Sequence, residues 1–363
     1  MTSLIRPKFH LSPVHGLLND PNGLAYFNHQ VYIFYQYHPD GPVHGLKHWG
    51  LFKTTDFLDY EDEGVFLSPH ARGDNAGVYS GGGIVREGKL ELFYSGNHRD
   101  HHGIRKPVIY QVVLDSTDAI LSRNCIVDYM EHYTEHQRDP FPFRVKNQNY
   151  LLYAVQTVKQ QGKILCMAMN NEFNDVVNAR ELQLNPILDE YYMLECPAMT
   201  MINQQFLLLI CPQDNQKIEN RFSKNIFHSV YVIGNSLDDM DDIPRCIDHG
   251  FDFYAPQLFK MENRHIMIPW IGVPDTLYPH EAEEGWSQVL GIPREITIID
   301  NQLYQRPIAE YRGLRTASKD LQPLNACSRS FELELTADHD FSCRIGAEDF
   351  IEIALKGGCT GKI

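Results

Sequence analysis

The sequence predicts an all-β protein in which four-stranded sheets repeat around an axis. Short runs rich in Val, Ile, Tyr and Phe recur, Gly, Asn, Asp and Pro separate them, and no long segment of period 3.6 competes. In chain order the runs are Val31 to Tyr37, Leu90 to Tyr94, Tyr150 to Val155, Phe206 to Cys211, Ser229 to Ile233 and Ile266 to Trp270. Several follow polar turns and read as second strands of hairpins. Phe27-Asn28-His29-Gln30 precedes Val31, Arg86-Glu87-Gly88-Lys89 precedes Leu90, and Lys146-Asn147-Gln148-Asn149 precedes Tyr150. A unit repeated in this way buries its faces against its neighbours, which is how a propeller is built. The pattern alone does not count the blades. After Arg315 the polar stretch Thr316 to Asn325 reads as a linker, and Phe331-Glu332-Leu333-Glu334-Leu335 and Phe350-Ile351-Glu352-Ile353-Ala354-Leu355 alternate as half-buried strands.

Composition narrows the function classes. The chain has 363 residues, enough for a large core and a second unit when a typical domain has about 100–150. With 47 acidic against 32 basic residues the formal charge is −15, which disfavours nucleic acid or an anionic membrane surface as partner and points to a small ligand. No apolar stretch approaches the roughly 20 residues of a membrane helix, and Met1 to Pro7 lacks the apolar core of a secretory signal, so a cytoplasmic location is expected. The eight cysteines are dispersed without a Cys-x-x-Cys pair, and the spacing of His98, His101 and His102 matches no common zinc pattern. Neither metal nor cofactor is expected. Gly81-Gly82-Gly83 lacks the Gly-Lys-Ser/Thr of a phosphate loop and reads as a place where strands approach closely.

Three acidic motifs carry the chemistry: Asn19-Asp20-Pro21-Asn22-Gly23, Arg138-Asp139-Pro140 and Glu195-Cys196-Pro197. Taken singly, the first is a turn sequence, because Pro fixes φ and Gly accepts positive φ, and the second is a surface ion pair before a Pro. Glu195 differs, since it lies between Met193-Leu194 and Cys196-Pro197-Ala198-Met199, and an ionisable group in so apolar a stretch is rarely fully buried without a partner or a role, although alone it reads by default as an exposed Glu on a strand edge. Together they suit the cleavage of a bond between two sugars. One carboxylic acid protonates the leaving oxygen, and one carboxylate attends the anomeric carbon where positive charge develops.

At these motifs the chain resembles glycoside hydrolase family 32, the invertases and fructosidases, and most of all its bacterial sucrose-6-phosphate hydrolases. Further matches follow in family order: Tyr32 to Tyr37, Gly41 to Gly50, Tyr79-Ser80-Gly81, Asp252-Phe253-Tyr254-Ala255-Pro256-Gln257, Trp270-Ile271-Gly272, Pro293-Arg294-Glu295 and Gln305-Arg306-Pro307. The resemblance implies a five-bladed β-propeller over residues 1–315, with a funnel at its axis where Asp20, Asp139 and Glu195 meet. A linker over 316–325 and the start of the family's C-terminal β-sandwich over 326–363 would follow. Roughly forty residues are too few for a sandwich of about 100, so the sequence reads as interrupted there.

By the same resemblance Asp20 is the nucleophile, Glu195 the acid and then the base, and Asp139 a stabiliser of the cationic transition state, with retention of configuration. A raised pKa is expected of Glu195, from burial and the Asp20 carboxylate, and Arg138 is expected to keep Asp139 ionised. Leu18, Asn19, Gln36, Trp49, Tyr79, Ser80, Arg138 and Trp270 are expected to form the sugar pocket, Asn19, Gln36 and Ser80 as hydroxyl partners and Trp49, Tyr79 and Trp270 as ring walls, although Trp49 also suits a core. Leu194 stands where the family commonly has Trp, and Tyr79 where it often has Phe, which bears on the preference for the leaving sugar. Candidates for a phosphate contact are His44, Lys47 and His48, with Arg99 and Arg105 as weaker ones. The expected activity is a retaining β-fructofuranosidase acting on sucrose 6-phosphate or sucrose. Fructosyl transfer, fructan hydrolysis and a non-catalytic fructoside-binding propeller stay open, as does the oligomeric state.

Overall fold

The computed structural model describes residues 6–70, 72–214, 227–250, 252–274 and 283–315, and beyond them 334–337, 340–346, 350–355 and 359–362. Up to residue 315 it is a five-bladed β-propeller. The first blade comprises β1 (Gly16–Phe27), β2 (Gln30–His38), β3 (His48–Thr54) and β4 (Glu61–Leu67), and the second β5 (Val78–Arg86), β6 (Lys89–Gly96), β7 (Val108–Leu114) and β8 (Ile120–Val127). The third has β9 (Tyr133–Val145), β10 (Gln148–Thr157), β11 (Gly162–Met169) and β12 (Val176–Glu181), and the fourth β13 (Met193–Ile202), β14 (Gln205–Gln213), β15 (Val230–Gly234) and β16 (Arg245–Cys246). In the fifth, β17 (Phe253–Met261) and β18 (Arg264–Ile271) are followed by the short β20 (Val289–Leu290), then β21 (Arg294–Ile299) and β22 (Gln302–Pro307), while the short β19 (Trp286–Ser287), just before β20 in the chain, joins the sheet of the first blade.

The hairpins follow from their turns. Asn28/His29, Glu87/Gly88, Lys146/Asn147, Asn203/Gln204 and Asp300/Asn301 all have positive φ at both positions, the backbone of the two-residue turn whose twist matches that of paired strands. Within each blade, burial falls from the inside outward: β2 is buried at all but its first residue, whereas β4 is mostly exposed. That gradient is why the second strands stand out as apolar runs in the sequence.

The inner strands β1, β5, β9, β13 and β17 neighbour one another in cyclic order. Apolar cores fill the gaps between blades, for example Phe34, Trp49 and Leu51 of the first blade against Leu92, Tyr94 and Val112 of the second. Gly82 and Gly83 permit the close ring at β5. A Cβ on Gly82 would lie 2.8 Å from Pro142 and 2.9 Å from Phe141, and one on Gly83 2.9 Å from the Gly23 carbonyl. The ends of the ring are stitched together, since β19 pairs in parallel with Gly16 and Leu17 of β1 while β20 pairs with Trp270 and Ile271 of β18.

Contact clustering divides the chain into Met1–Thr316 and Ala317–Ile363. The described part of the second unit consists of two antiparallel pairs, β23 (Glu334–Ala337) with β26 (Cys359–Lys362) and β24 (Phe341–Gly346) with β25 (Phe350–Leu355). The expected linker lies outside the described residues.

Candidate active site

Every inner strand departs from regular pairing near the axis. Register shifts leave Asn19 and Asp20 unpaired on β1, Ser80 on β5, Asp139 and Pro140 on β9, Cys196 and Pro197 on β13, and Ala255 and Pro256 on β17. In three of them the residue before Pro is left-handed, with φ of 62° at Asp139, 49° at Cys196 and 46° at Ala255. A left-handed residue bearing a Cβ costs roughly 1–2 kcal/mol, and a following Pro ordinarily favours extended backbone. Repeating this bulge on successive blades re-aims side chains from the strand faces toward the axis.

On β1, the Asn19 amide is 3.2 Å from Asp20 Oδ1, and Ser80 of the second blade donates its hydroxyl to Asp20 Oδ2. Gln36 Oε1 accepts from Asn19 Nδ2 at 2.6 Å and lies 3.3 Å from Ser80 Oγ, while Lys47 Nζ donates to Asn19 Oδ1 at 2.7 Å. Burial pushes the Asp20 carboxyl up and the Glu195 charge adds to this, while the Ser80 and Asn19 hydrogen bonds and Lys47 oppose it. Burial brings the Lys47 ammonium down to about 7 against the pull of Asp20.

Across the axis Glu195 is gripped at both oxygens. Arg138 Nε donates to Oε1 at 2.9 Å, and Tyr254 of the fifth blade donates its phenol to Oε2 at 2.5 Å. Arg138 is in turn 3.2 Å from His136 Nδ1 and 3.4 Å from Gln213 Oε1, and Tyr192 Oη lies 2.6 Å from His136 Nε2. Asp139 Oδ2 accepts the backbone N–H of Cys196 at 2.9 Å, and its own N–H donates to Ser95 Oγ at 2.8 Å, which ties the third blade to the fourth and the second.

The arrangement corrects one expectation. Arg138 pairs with Glu195, and burial raises the Asp139 carboxyl to about 7, with Arg138 opposing and the charges of Glu195 and Asp20 adding to the rise. Neighbours on a strand project in different directions, so adjacency in sequence did not make Arg138 and Asp139 partners.

The expected pocket residues divide into two groups. Asn19, Gln36, Ser80 and Arg138 join the polar network around the carboxyls, and Tyr79 stands half-buried beneath the Arg105 guanidinium, 5.5 Å from its ring centroid. Leu18 and Trp49 are fully buried and Trp270 is 1% exposed, so these three do not present open walls. Trp49 packs between Phe34 and Tyr94 and donates its indole N–H to the Tyr79 carbonyl at 3.0 Å, while Trp270 meets Tyr254 edge-on at 6.1 Å. Both hold up a tyrosine next to the site. Of the phosphate candidates, Lys47 is buried on Asn19, His44 is pushed down to about 4 by desolvation and by Lys47, and the His48 ring is lowered by desolvation. Sequence reasoning gave no role to Tyr254, His136, Tyr192, Gln213 or Ser95. Tyr254 lay inside a quoted motif, and the other four carry no signal of their own.

A family profile described as Glycosyl hydrolases family 32 N-terminal domain matches residues 10–307. The chain belongs to glycosyl hydrolase family 32. It is a glycoside hydrolase. It is 36% identical over 343 residues to the sucrose-6-phosphate hydrolase of Vibrio alginolyticus, covering 92% of this chain and 70% of that protein. It is also 39% identical over 322 residues to that of Staphylococcus xylosus, covering 86% and 64%. Among solved structures, the sucrose-6-phosphate hydrolase of Lactobacillus gasseri superposes with a TM-score of 0.87 at 30% identity, covering 98% of this chain and 76% of that one. A Bombyx mori family 32 β-fructofuranosidase shares the fold, with a TM-score of 0.75 at 24% identity, covering 93% and 69%.

Proposed function

We propose that the chain is a retaining β-fructofuranosidase that hydrolyses sucrose 6-phosphate, and more slowly sucrose, to release fructose. One observation carries the reading: two carboxyls at the axis are held by different kinds of donor. Asp20 takes its hydrogen bonds from the neutral Asn19 amide and Ser80 hydroxyl, while Glu195 has the cationic Arg138 on one oxygen and the Tyr254 phenol on the other. In this reading Asp20 attacks the fructosyl anomeric carbon as Glu195 delivers a proton to the leaving oxygen. A covalent fructosyl enzyme results. Glu195 then takes a proton from water, which attacks from the side the leaving sugar vacated and restores the original configuration. Asn19 and Ser80 orient Asp20, and Asp139 in its ionised form binds fructose hydroxyls and stabilises the cationic transition state. A phosphorylated sugar is held inside cells by its charge, so a cytoplasmic location goes with this substrate. The second unit we read as part of the family's C-terminal sandwich, which supplies none of these residues.

The test is product analysis with sucrose, sucrose 6-phosphate and a short inulin-type oligomer, each followed by NMR from the first turnovers. Fructose released with its anomeric configuration retained, fastest from sucrose 6-phosphate, is the expected result. Inverted fructose would exclude the covalent route, and fastest release from the oligomer would make the chain a fructan hydrolase.

A further inference from the structure

A cavity of about 440 Å³ is lined by Arg99, Ile104, Arg105, Tyr129, Glu135 and His136. Its volume lies within the roughly 300–1,000 Å³ range of small-molecule sites. One residue separates it from Glu195, because His136 Nδ1 is 3.2 Å from Arg138, whose Nε is 2.9 Å from the carboxylate. The polar partners of its two guanidiniums are neutral. Arg99 donates to the Gly103 carbonyl at 2.9 Å and Arg105 to Asn97 Oδ1 at 2.8 Å. Asp100, next to Arg99 in sequence, is paired instead with Lys106 at 3.2 Å, and Glu135 has His136 at 4.0 Å. Half-buried Arg105 also feels the positive charges of Arg138 and Arg99. In a chain of net charge −15, two cations facing one cavity with no carboxylate of the described residues in ion-pair contact with either, Glu135 of the same lining being set against His136, are an incomplete electrostatic arrangement.

We infer that this cavity receives the phosphate of the leaving sugar, with Arg105 and Arg99 as its donors. The inference rests on the sucrose 6-phosphate reading above. Protonation by Glu195 requires the leaving oxygen to lie against Glu195, so the departing hexose extends to the side where His136 and the two arginines stand. Lys47, by contrast, is bound to Asn19 beside Asp20, the carboxylate that the proposed mechanism sets against the fructosyl unit. A sugar phosphate is close to dianionic at neutral pH, and the planar fork of a guanidinium matches its oxygens in pairs.

The experiment compares kcat/KM for sucrose 6-phosphate and for sucrose in the wild type, Arg105→Gln, Arg99→Gln, Arg105→Lys and His44→Gln. Glucose 6-phosphate serves as a binding probe by calorimetry. Losing one charge-assisted contact predicts that the ratio of the two kcat/KM values falls about ten- to a hundredfold in Arg105→Gln. A smaller fall is expected in exposed Arg99→Gln and partial recovery in Arg105→Lys, with glucose 6-phosphate binding weakened in step. Should Arg105→Gln fail to fold, Arg99→Gln carries the test. Equal slowing on both sugars, or a ratio that collapses in His44→Gln while surviving both arginine changes, overturns the site. A wild type without any preference overturns the substrate reading and this site with it, whereas a preference that outlasts both arginine changes overturns the site alone.

Discussion

Asp139 lies in the bulge of β9 and Glu195 stands just before the bulge of β13, and their surroundings differ. Glu195 has Arg138 on one oxygen and the Tyr254 phenol on the other, while Asp139 is buried on the Cys196 N–H. In the proposed mechanism Glu195→Gln removes the proton donor and so should slow poor leaving groups such as glucose far more than activated ones. Asp139→Asn should slow both alike, because charge stabilisation is common to every fructosyl transition state. A common dependence on leaving-group acidity in the two variants would void this division. The Asp139 environment also has a stability consequence. Its carboxyl goes from an ordinary value of 3.8 to about 7 in the fold, so the folded state holds the proton more tightly and the contribution is lost as pH rises through about 7. Asp139→Asn keeps an acceptor for the Cys196 N–H without the buried charge. The variant should therefore gain thermal stability over the wild type as pH goes from 5 to 8, by an amount on the order of a few kcal/mol. A difference that stays constant across that range would contradict the assignment.

Elements show where the sequence could be read and where it could not. The hairpins were legible because a two-residue turn with positive φ leaves Asn, Gly and polar residues at fixed places, and because second strands are buried on both faces. The outer strands were less legible, since Glu61–Leu67 is mostly exposed and Ile120–Val127 has no buried residue, and neither follows an apolar pattern. The acidic motifs were visible as Asp-Pro and Glu-Cys-Pro, but their meaning as bulges was not, because a left-handed residue before Pro runs against local preference and only the ring of blades imposes it. That mismatch can be measured. At Ala255, with φ of 46°, glycine relieves roughly as much backbone strain as is lost with the buried methyl, so Ala255→Gly should change stability by less than about 1 kcal/mol. Ala154→Gly, at a buried position of β10 whose φ is not positive, lacks that relief and should cost about 1–2 kcal/mol. Equal losses in thermal denaturation would show that the bulge stores no strain.

At the scale of the molecule all five blades contribute to one site: Asp20 from the first, Ser80 from the second, Arg138 and Asp139 from the third, Glu195 from the fourth and Tyr254 from the fifth. Cross-blade contacts such as Ser80 to Asp20, Arg138 to Glu195 and Tyr254 to Glu195 were not legible in the sequence, because they depend on which inner strands adjoin around the ring. The acidic residues themselves were, since each sits in its own motif. Ring closure through β19 and β20 fixes the first blade against the last and holds Asp20 and Tyr254 on a common frame.

The direct test of this assembly is whether Asp20 becomes covalently fructosylated. With Glu195→Gln and an activated fructoside, whose departure needs no acid, the first displacement proceeds while the second lacks its base. Mass spectrometry of the quenched and digested protein should then find one fructosyl residue on the peptide carrying Asp20, and none when Asp20→Asn is added. Fructose release at near wild-type rate by folded Asp20→Asn, or an adduct on the peptide carrying Asp139, would contradict the account.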